Sequence, residues 1–443
     1  MLGILSNTAY RNLFSAQVVA LLGTGLLTVA LSLLAYDLAG ERAGAVLGTA
    51  LAIKMIAYVG LAPVAGAIAE NLPRKAVLIG ADLVRASVSL FLPFIDAVWQ
   101  IYLLIFILQA ASATFTPTFQ AVIPDILPDE KDYTKALSLS RLAYDLENLV
   151  SPALAGILLS IMSYHWLFGG TVVGFLGSAA LVAATLVPAL PQTAKARPFF
   201  ARLTRGTRIY LATPRLRGLL ALNMAAAAAG AFVIVNTVVL VRSGYGAGET
   251  QVAQALAAFG GGSMLAALSL PRLLDRLPDR LVMVAAAFLL GALTLGHAVY
   301  MFAEGLPGWT GFLLAWAASG TLYSAVLTPS GRLLRRSAHA EDRPAVFAAQ
   351  FALSHACWLI TYPLAGWTGE TFGWSAAMAI LGALALAASA LALALWPAGD
   401  PSELVHDHPD LPAGHPHLAG APGKRHRHLF LIDDEHRAWP THG

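Results

Sequence analysis

Long apolar runs separated by short polar stretches dominate the chain, and each run is close to 20 residues long. A helix of about that length crosses the hydrocarbon core of a bilayer with its backbone hydrogen bonds satisfied internally. The pattern therefore predicts an all-α membrane protein with twelve transmembrane helices. These lie near 13–36, 44–68, 76–95, 99–123, 138–161, 165–188, 217–241, 251–270, 281–303, 309–329, 345–368 and 373–396.

Composition agrees with a bilayer location and excludes other classes of protein. Of the 443 residues, 57% are hydrophobic and only 12% are charged, which excludes a soluble enzyme. A net charge of +3 is too small for a nucleic-acid binder of this size, and the single Cys357 excludes internal disulfides. No nucleotide-binding loop, nucleophile triad or metalloprotease spacing occurs, so we expect neither enzymatic activity nor a cofactor. The first apolar run ends at Asp37 without a small-residue cleavage site, which predicts an uncleaved span.

The basic residues predict the orientation, because cytoplasmic loops retain Lys and Arg. With the N-terminus inside, 25 of the 28 Lys and Arg residues fall on inner loops, the central linker or the termini. Only Arg42 and Arg242 lie outside, and Lys54 falls within a span. We therefore expect both termini in the cytoplasm and a multi-pass protein of a bacterial inner membrane.

Internal repetition divides the chain into two halves. The segment GAIAENLPRK at 66–75 recurs as PRLLDRLPDR at 271–280, and SPALAG at 151–156 recurs as TYPLAG at 361–366. The first offset, 205 residues, brings the loop after the second span of one half onto its counterpart. The second offset, 210 residues, does the same for the fifth span. The predicted units are a six-helix half (1–188), a basic cytoplasmic linker (189–216), a parallel six-helix half (217–396) and a disordered cytoplasmic tail (397–443).

Twelve spans in two parallel halves, a basic central linker and a charged loop after the second span together resemble the major facilitator superfamily over about residues 5–396. That resemblance implies alternating access, with this loop gating the cytoplasmic side through ion pairs. The first copy matches the family pattern at Gly66, Glu70, Arg74 and Lys75 and departs from it at Asn71 and Pro73; the second copy keeps Asp275, Arg276 and Arg280 but lacks the glycine.

Within the superfamily, YRNLF near the N-terminus, DLVRA in span three (Asp82, Arg85) and TPTFQAVIPDIL in span four resemble the bacterial exporter branch. That branch includes enterobactin exporters and nickel-resistance permeases of the NreB type. A histidine-rich C-terminus is the feature that is similar to the nickel permeases.

In this family, spans one, four, seven and ten line the central cavity, and polar residues at helical spacing occur there. They are Gln17, Thr24, Thr28, Ser32 and Tyr36; Gln109, Ser112, Thr116 and Gln120; Asn223 and Thr237; and Trp316, Ser319, Tyr323 and Ser330. We expect Gln17, Thr24, Thr28, Gln109, Thr116, Gln120, Asn223, Trp316 and Tyr323 to line the transport cavity. Alternatively, these groups only form hydrogen bonds between packed helices.

Charged residues inside spans are costly, so each is a candidate for function. Asp145 and Glu147 differ by about 200° around a helix, so only one can face the cavity. Arg141 stands one turn before Asp145 and can pair with it, which leaves Glu147 as the better candidate for proton coupling or cation binding. Lys54 is expected further outward, near a carboxylate such as Asp37.

The 210-residue offset places His355 opposite Asp145 and Cys357 opposite Glu147. A carboxylate, an imidazole and a thiol together would suit a borderline cation such as nickel, cobalt or zinc. The alternative is that the histidine and the cysteine only pack within their helix.

The tail holds eight of the twelve histidines and is too polar to fold alone. An extended chain presents residues i and i+2 on the same side, so each H-x-H pair can offer two imidazoles to one ion. The candidate metal ligands are His406, His408, His415, His417, His426, His428 and His436. The apolar segment 429–432 is expected to dock on the cytoplasmic face.

Three functions follow from these features. The first is a proton-coupled exporter of a divalent metal, nickel or cobalt by preference, assisted by the tail. The second is an exporter of an amphipathic organic molecule such as a siderophore or drug, with an incidental tail. The third is a non-transporting metal sensor. For the transporter we expect protons, the lipid bilayer and a small molecule or metal ion as partners, no nucleic acid, and a monomer.

Overall fold

The computed structural model describes residues 2–61, 73–186, 199–339, 342–399, 403–407, 425–433, 436 and 438–440. Within these residues the chain is almost entirely helical, as the apolar pattern predicts. The N-terminal set of helices comprises α1 (Thr8–Ala39), α2 (Ala43–Ile56), α3 (Arg74–Phe91), α4 (Val98–Ile126), α5 (Glu130–Leu159) and α6 (His165–Ala183). A π-helical turn, Ala57–Leu61, continues α2.

A shorter helix, α7 (Phe199–Ala212), lies in the segment predicted as linker and precedes the C-terminal set of helices. That set comprises α8 (Pro214–Val239), α9 (Glu249–Leu274), α10 (Asp279–Glu304), α11 (Trp309–Leu327), α13 (Arg343–Phe372) and α14 (Trp374–Leu395). The short helix α12 (Ser330–Arg336), seven residues long, connects α11 to α13.

Ten helical stretches among the described residues are long and apolar enough to cross a membrane. One of them, Thr8–Gly60, is 53 residues long and contains both α1 and α2. Helix α5 is not among the ten, and it is the helix whose sequence contains Asp145 and Glu147. The predicted loop residues Gly66 and Glu70 lie outside the described residues.

Each set packs its helices in the same order. In the N-terminal set α1 contacts α6, α6 contacts α3, and α2 contacts α4; in the C-terminal set α8 contacts α14, α14 contacts α10, and α9 contacts α11. Between the sets, α2 packs on α13 and α5 packs on α9. If α2 corresponds to α9 and α5 to α13, the contact of α2 with α13 is equivalent to the contact of α9 with α5.

The prediction of a disordered tail is wrong for two segments. Strand β1 (Glu403–Asp407) pairs antiparallel with β2 (Arg425–Leu429), and the three residues after β2, Phe430 to Ile432, are buried in the main hydrophobic core. The composition argument considered only the apolar surface that the tail could bury against itself. These residues bury their side chains against the helices instead, as expected for the segment 429–432.

Glycines allow α9 and α11 to approach closely. A Cβ atom at Gly320 would overlap the carbonyl oxygen of Phe259, and one at Gly262 would overlap that of Ala317. Backbones that approach this closely gain van der Waals contact, which drives helix association in a bilayer.

We expect Gly320→Ala to lower the free energy of unfolding by about 1–3 kcal/mol, because the added methyl group forces the two backbones apart. Thermal denaturation of the purified protein measures the change. The matched control is Gly296→Ala on α10, where nothing lies within 4 Å of the added atom. Equal melting temperatures for the two variants would contradict the close packing.

Candidate functional site

Lys54 and Glu147 lie on α2 and α5, the two helices of the N-terminal set that make the most extensive contacts with the C-terminal set. The two side chains interact electrostatically. No direct salt bridge joins these two described side chains. Tyr164, on the other hand, donates to Asp37 at 2.7 Å. The partner of Lys54 is thus Glu147, not the outer carboxylate that the helical rise suggested.

Small residues bring Glu147 up against α1. A Cβ atom at Gly25 would lie 3.5 Å from Cγ of Glu147 and would overlap the side chain of Ser151. Glycine at this position therefore lets α5 approach α1, and the Glu147 carboxylate reaches the space between the sets.

Two tyrosines flank the charged pair. The Tyr58 side chain interacts with that of Ser112 on α4, and the Tyr144 side chain interacts with that of Gln17 on α1. Both tyrosines interact electrostatically with Glu147. Gln17 also accepts from the Ser140 hydroxyl at 3.0 Å, so the amide ties α1 to α5.

His355 completes the group from the C-terminal set. Its ring lies 5.4 Å from that of Tyr58 and 3.9 Å from that of Phe351, centroid to centroid. Lys54 Nζ stands 5.9 Å from the Tyr58 ring centre. We call Lys54, Tyr58, Tyr144, Glu147 and His355 the central charged cluster.

Cys357 does not join this cluster. Its thiol is buried, bonds to the carbonyl oxygen of Leu353 and interacts with Tyr210 on α7. Positions i and i+2 of a helix point in nearly opposite directions, so His355 and Cys357 of α13 cannot serve one ion. Among the described residues there is no group of three or more His, Cys, Asp or Glu that could hold a metal ion.

Most of the polar residues predicted to line a cavity bond within their own helices. The Thr24, Thr28 and Thr116 hydroxyls donate to carbonyl oxygens four residues earlier, and the Asn223 amide donates to Leu219. The side chain of Gln120 lies outside the described residues, as do those of Arg141 and Asp145. Gln109 is buried, and its Oε1 has no partner.

Trp316 packs inside the C-terminal set instead of lining its surface. It is 1% exposed, its Nε1 donates to Thr237 at 2.8 Å, and its ring lies 4.1 Å from that of Phe312. A cavity of about 10 Å³, enough for one water molecule, separates it from His297.

Tyr323, in contrast, belongs to an aromatic wall on the C-terminal set. Its ring contacts Phe259 and Trp358 at 5.5 and 6.3 Å, and Trp358 in turn contacts Tyr362 at 4.8 Å. Gly230 on α8 makes room for this wall, because a Cβ atom there would lie 2.9 Å from the Trp358 ring. We call Phe259, Tyr323, Trp358 and Tyr362 the aromatic wall.

The two sets are in close contact at the end of the helices where α1 joins α2. We call this end of the molecule the far end. A Cβ atom at Gly366 of α13 would overlap the carbonyl oxygen of Gly44, and one at Gly48 would lie 2.6 Å from that of Tyr362. The buried side chain of Asn236 fills the space between Gly44 and Gly369 and donates to Ala365 at 3.0 Å.

Polar contacts reinforce this closure. Arg42 pairs with Glu370 at 2.7 Å, Trp367 donates to Thr49 at 3.1 Å, and Tyr36 bonds to Ser243 at 2.9 Å. Each of the three contacts joins the N-terminal set to the C-terminal set.

At the opposite end, the predicted gating residues bond mostly within their own set. Arg74 pairs with Asp125, and Lys75 donates to the carbonyl oxygen of Thr185 at 3.0 Å. Arg280 donates to the carbonyl oxygen of Trp396 at 2.8 Å and so caps α14. Asp275 and Arg276 are exposed.

Asp82 and Arg85 are not loop residues. They pair within α3, both are buried, and the guanidinium group lies 4.3 Å from the Phe115 ring and 4.5 Å from the Phe175 ring. This arrangement stabilises the packing of α3, α4 and α6, and we assign the pair to that role.

Of the predicted tail ligands, only His436 has a described side chain. His436 is buried and bonds to Asp433 at 3.0 Å, and the same carboxylate contacts His339 at 3.3 Å. The backbone register pairs His406 with His426 and places His428 opposite Leu404. His408, His415 and His417 lie outside the described residues.

Sequence reasoning missed Tyr58, Tyr144, Trp358 and Asn236. The signal for Tyr58 was its position one turn after Lys54. For Asn236 the signal was an amide, the second after Asn223, in a largely apolar span. Nothing in the sequence alone indicated that Trp358 meets Tyr323.

These features define a multi-pass membrane protein with a charged cluster between two sets of helices. The family model for the Major Facilitator Superfamily matches residues 13–304 and 219–427, and the chain belongs to that superfamily. It is a membrane transporter and not an enzyme.

Relatives and solved structures agree with this assignment. An uncharacterized MFS-type transporter of Bacillus subtilis, YfiS, is 24% identical over 73% of this chain and 78% of its own length. Macrolide efflux protein A of Streptococcus pyogenes is 26% identical over 41% of this chain and 45% of its own length. The nucleoside transporter NupG has a TM-score of 0.64 at 15% identity, covering 87% of this chain and 100% of NupG. A POT family transporter in complex with 5-aminolevulinic acid has a TM-score of 0.66 at 10% identity, covering 87% and 96% of the two chains.

We expect Gly366→Val to prevent closure of the far end, because the added atoms overlap Gly44. Spin labels at Glu41→Cys and Glu304→Cys, in a Cys357→Ser background, report the separation of the two sets. The mean distance should lengthen by at least about 2 Å to restore van der Waals clearance. Gly296→Val is the control, and an unchanged distance in Gly366→Val would contradict the role of this contact.

Proposed function

We propose that the chain is a proton-coupled secondary transporter that exports amphipathic organic molecules by alternating access. The central charged cluster carries this proposal. It combines one carboxylate, one ammonium group and an imidazole at the interface of the two sets, near an aromatic wall. Ionisable side chains within spans mark substrate or ion pathways by default, because burying a charge in the bilayer has a high free-energy cost.

The proposal includes twelve spans in two parallel six-helix repeats, a bacterial inner membrane and cytoplasmic termini. The repeated packing order of the two sets supports the repeats, and the distribution of Lys and Arg supports the orientation. With this orientation the closed far end faces the periplasm, so the conformation is inward-facing. The protein is proposed to act as a monomer.

Proton coupling is assigned to Glu147. A carboxylate that faces an ammonium group keeps its charge compensated while it is ionised, and protonation removes the attraction between α2 and α5. The empty carrier and the loaded carrier would then differ in the charge they must move through the bilayer. Lys54 and Glu147 lie on the two helices that make the most extensive contacts with the other set, so this change reaches the interface directly.

An organic substrate fits the site better than a divalent metal does. The ammonium group of Lys54 repels a dication, and the aromatic wall offers dispersion and stacking contacts. One of the relatives named above, the macrolide efflux protein, supports efflux.

We expect Glu147→Gln to abolish gradient-driven transport, because the side chain keeps its size but no longer ionises. The measurement is uptake of a fluorescent amphipathic dye into inside-out vesicles with an imposed proton gradient. Glu304→Gln is the matched control, since Glu304 is exposed at the end of α10.

Uptake at background in Glu147→Gln, with parental uptake in Glu304→Gln, is the expected pattern. Full gradient-driven uptake by Glu147→Gln would remove this residue from the coupling mechanism. Dye uptake that ignores the gradient in the parent protein would overturn proton coupling.

A second candidate function is export of a divalent transition metal such as nickel or cobalt, as in the NreB-type branch. One observation favours it: β1 and β2 pair His406 directly with His426, so two of the H-x-H motifs meet. Directly opposed residues in an antiparallel pair have Cβ atoms about 5 Å apart, a separation from which two imidazoles reach one ion.

Labelled nickel taken up by inside-out vesicles tests the metal function. If the tail assists export, gradient-dependent uptake by the full chain should fall when the chain ends after Trp396. Uptake that is equal in both forms would leave the histidines without a role in transport, and no uptake by either form would eliminate metal export.

A further inference from the structure

The pairing of Lys54 with Glu147 is the starting point. The two groups interact electrostatically, and no direct salt bridge joins them in the described structure. A carboxylate and an ammonium group that do not bond directly can each exchange the other for the polar group of a ligand. The surrounding side chains determine which charge that ligand group carries.

The groups beside Tyr58 are acceptors and π-faces. His355 Nδ1 lies 2.7 Å from the carbonyl oxygen of Phe351, which can only accept, so Nδ1 carries the hydrogen. In the neutral ring Nε2 is then an acceptor. Tyr58 and Phe351 meet edge to face at 5.8 Å beside it. Aromatic faces attract cations and repel anions.

Positive charge near the cluster is already compensated. Arg85 interacts with both tyrosines of the cluster, yet it pairs with Asp82 within α3. Among the described side chains Lys54 is then the cation available to the cluster, and its ammonium group stands over the Tyr58 ring at 5.9 Å, in the position where a cationic ligand would stack.

We infer that the substrate is an organic monocation with an apolar, largely aromatic body, and that Lys54 is a tethered competitor for the place that this cation takes beside Glu147. This inference rests on the proposed export of amphipathic molecules. Lys54 compensates the Glu147 charge when the site is empty. An entering cation takes over that compensation, and its body lies against Phe351 and the aromatic wall.

The competition has a consequence that a purely structural role for Lys54 lacks. Removing the charge of Lys54 should strengthen binding of a cation, because the carboxylate is no longer shared. Removing the charge of Glu147 should weaken the same binding. A structural ion pair would respond to both changes in the same direction.

The test uses two ions of the same shape and opposite charge, tetraphenylphosphonium and tetraphenylborate. Their binding to the purified full-length protein in nanodiscs is measured for the parent, Lys54→Gln, Lys54→Arg, Glu147→Gln and the control Glu304→Gln. Thermal denaturation checks that each variant is folded. The preference of the parent between the two ions needs no variant at all.

We expect the parent to prefer the phosphonium. Lys54→Gln should bind it about tenfold more tightly, equivalent to about 1.4 kcal/mol. Lys54→Arg, which keeps the positive charge, should bind it no more tightly than the parent. Glu304→Gln should match the parent, and Glu147→Gln should bind it at least about tenfold more weakly. Preference of the parent for the borate, or weaker phosphonium binding in Lys54→Gln, would overturn the inference.

Counterflow in proteoliposomes separates this inference from the proposed function. Counterflow of the borate alone would refute the cationic substrate and leave organic export intact. Failure of the parent to bind or translocate either ion would overturn both.

Discussion

The cost of placing an isolated charge in a bilayer governs this structure. A single ionised side chain at the centre of a span costs about 3 kcal/mol or more, so Lys54 and Glu147 are each tolerable only in the presence of the other. Their mutual compensation requires α2 and α5 to face one another across the N-terminal set. Gly25 makes this possible by letting α5 approach α1 until Glu147 reaches the shared interface. The position of the charged pair therefore depends on Gly25, where a larger side chain would keep α5 away from α1.

The two sets meet under a different constraint. At the far end, backbones approach through Gly44, Gly48 and Gly366, and Asn236 occupies the remaining space. Such a contact is short-ranged, because dispersion forces vanish within a few ångströms of separation. Contacts of this kind can form and separate at little electrostatic cost, whereas the charged pair stays compensated within one set. The chain thus keeps Lys54 and Glu147 within one set and places its closest backbone contacts between the sets at glycines.

The sequence predicts the helices well, because a period of apolar residues reports burial in lipid directly. It also made Glu147 a candidate, since a carboxylate without a local partner is conspicuous in a span; its role in transport stays a prediction. The partner of Lys54 could not be predicted, because helical rise gives the depth of a residue but not the direction in which neighbouring helices lie. For the same reason Cys357 was grouped with His355, although the two point to different neighbours. The docking of Phe430 depended on a surface that other segments create.

The same two helices carry both the cluster and the far-end contact. On α2, Gly48 and Tyr58 are ten residues apart, and on α13, His355 and Gly366 are eleven apart, so each pair is separated by about 15 Å of helix. The regular helix is interrupted on both paths. A π-helical turn, Ala57–Leu61, contains Tyr58, and Pro363 lies inside α13 between the histidine and the glycine. Helices bend at π-turns and at prolines, because these positions lack a regular hydrogen bond. The irregular position therefore lies beside the cluster in α2 and beside the far-end contact in α13, and a change in the cluster can reach the far end along both helices.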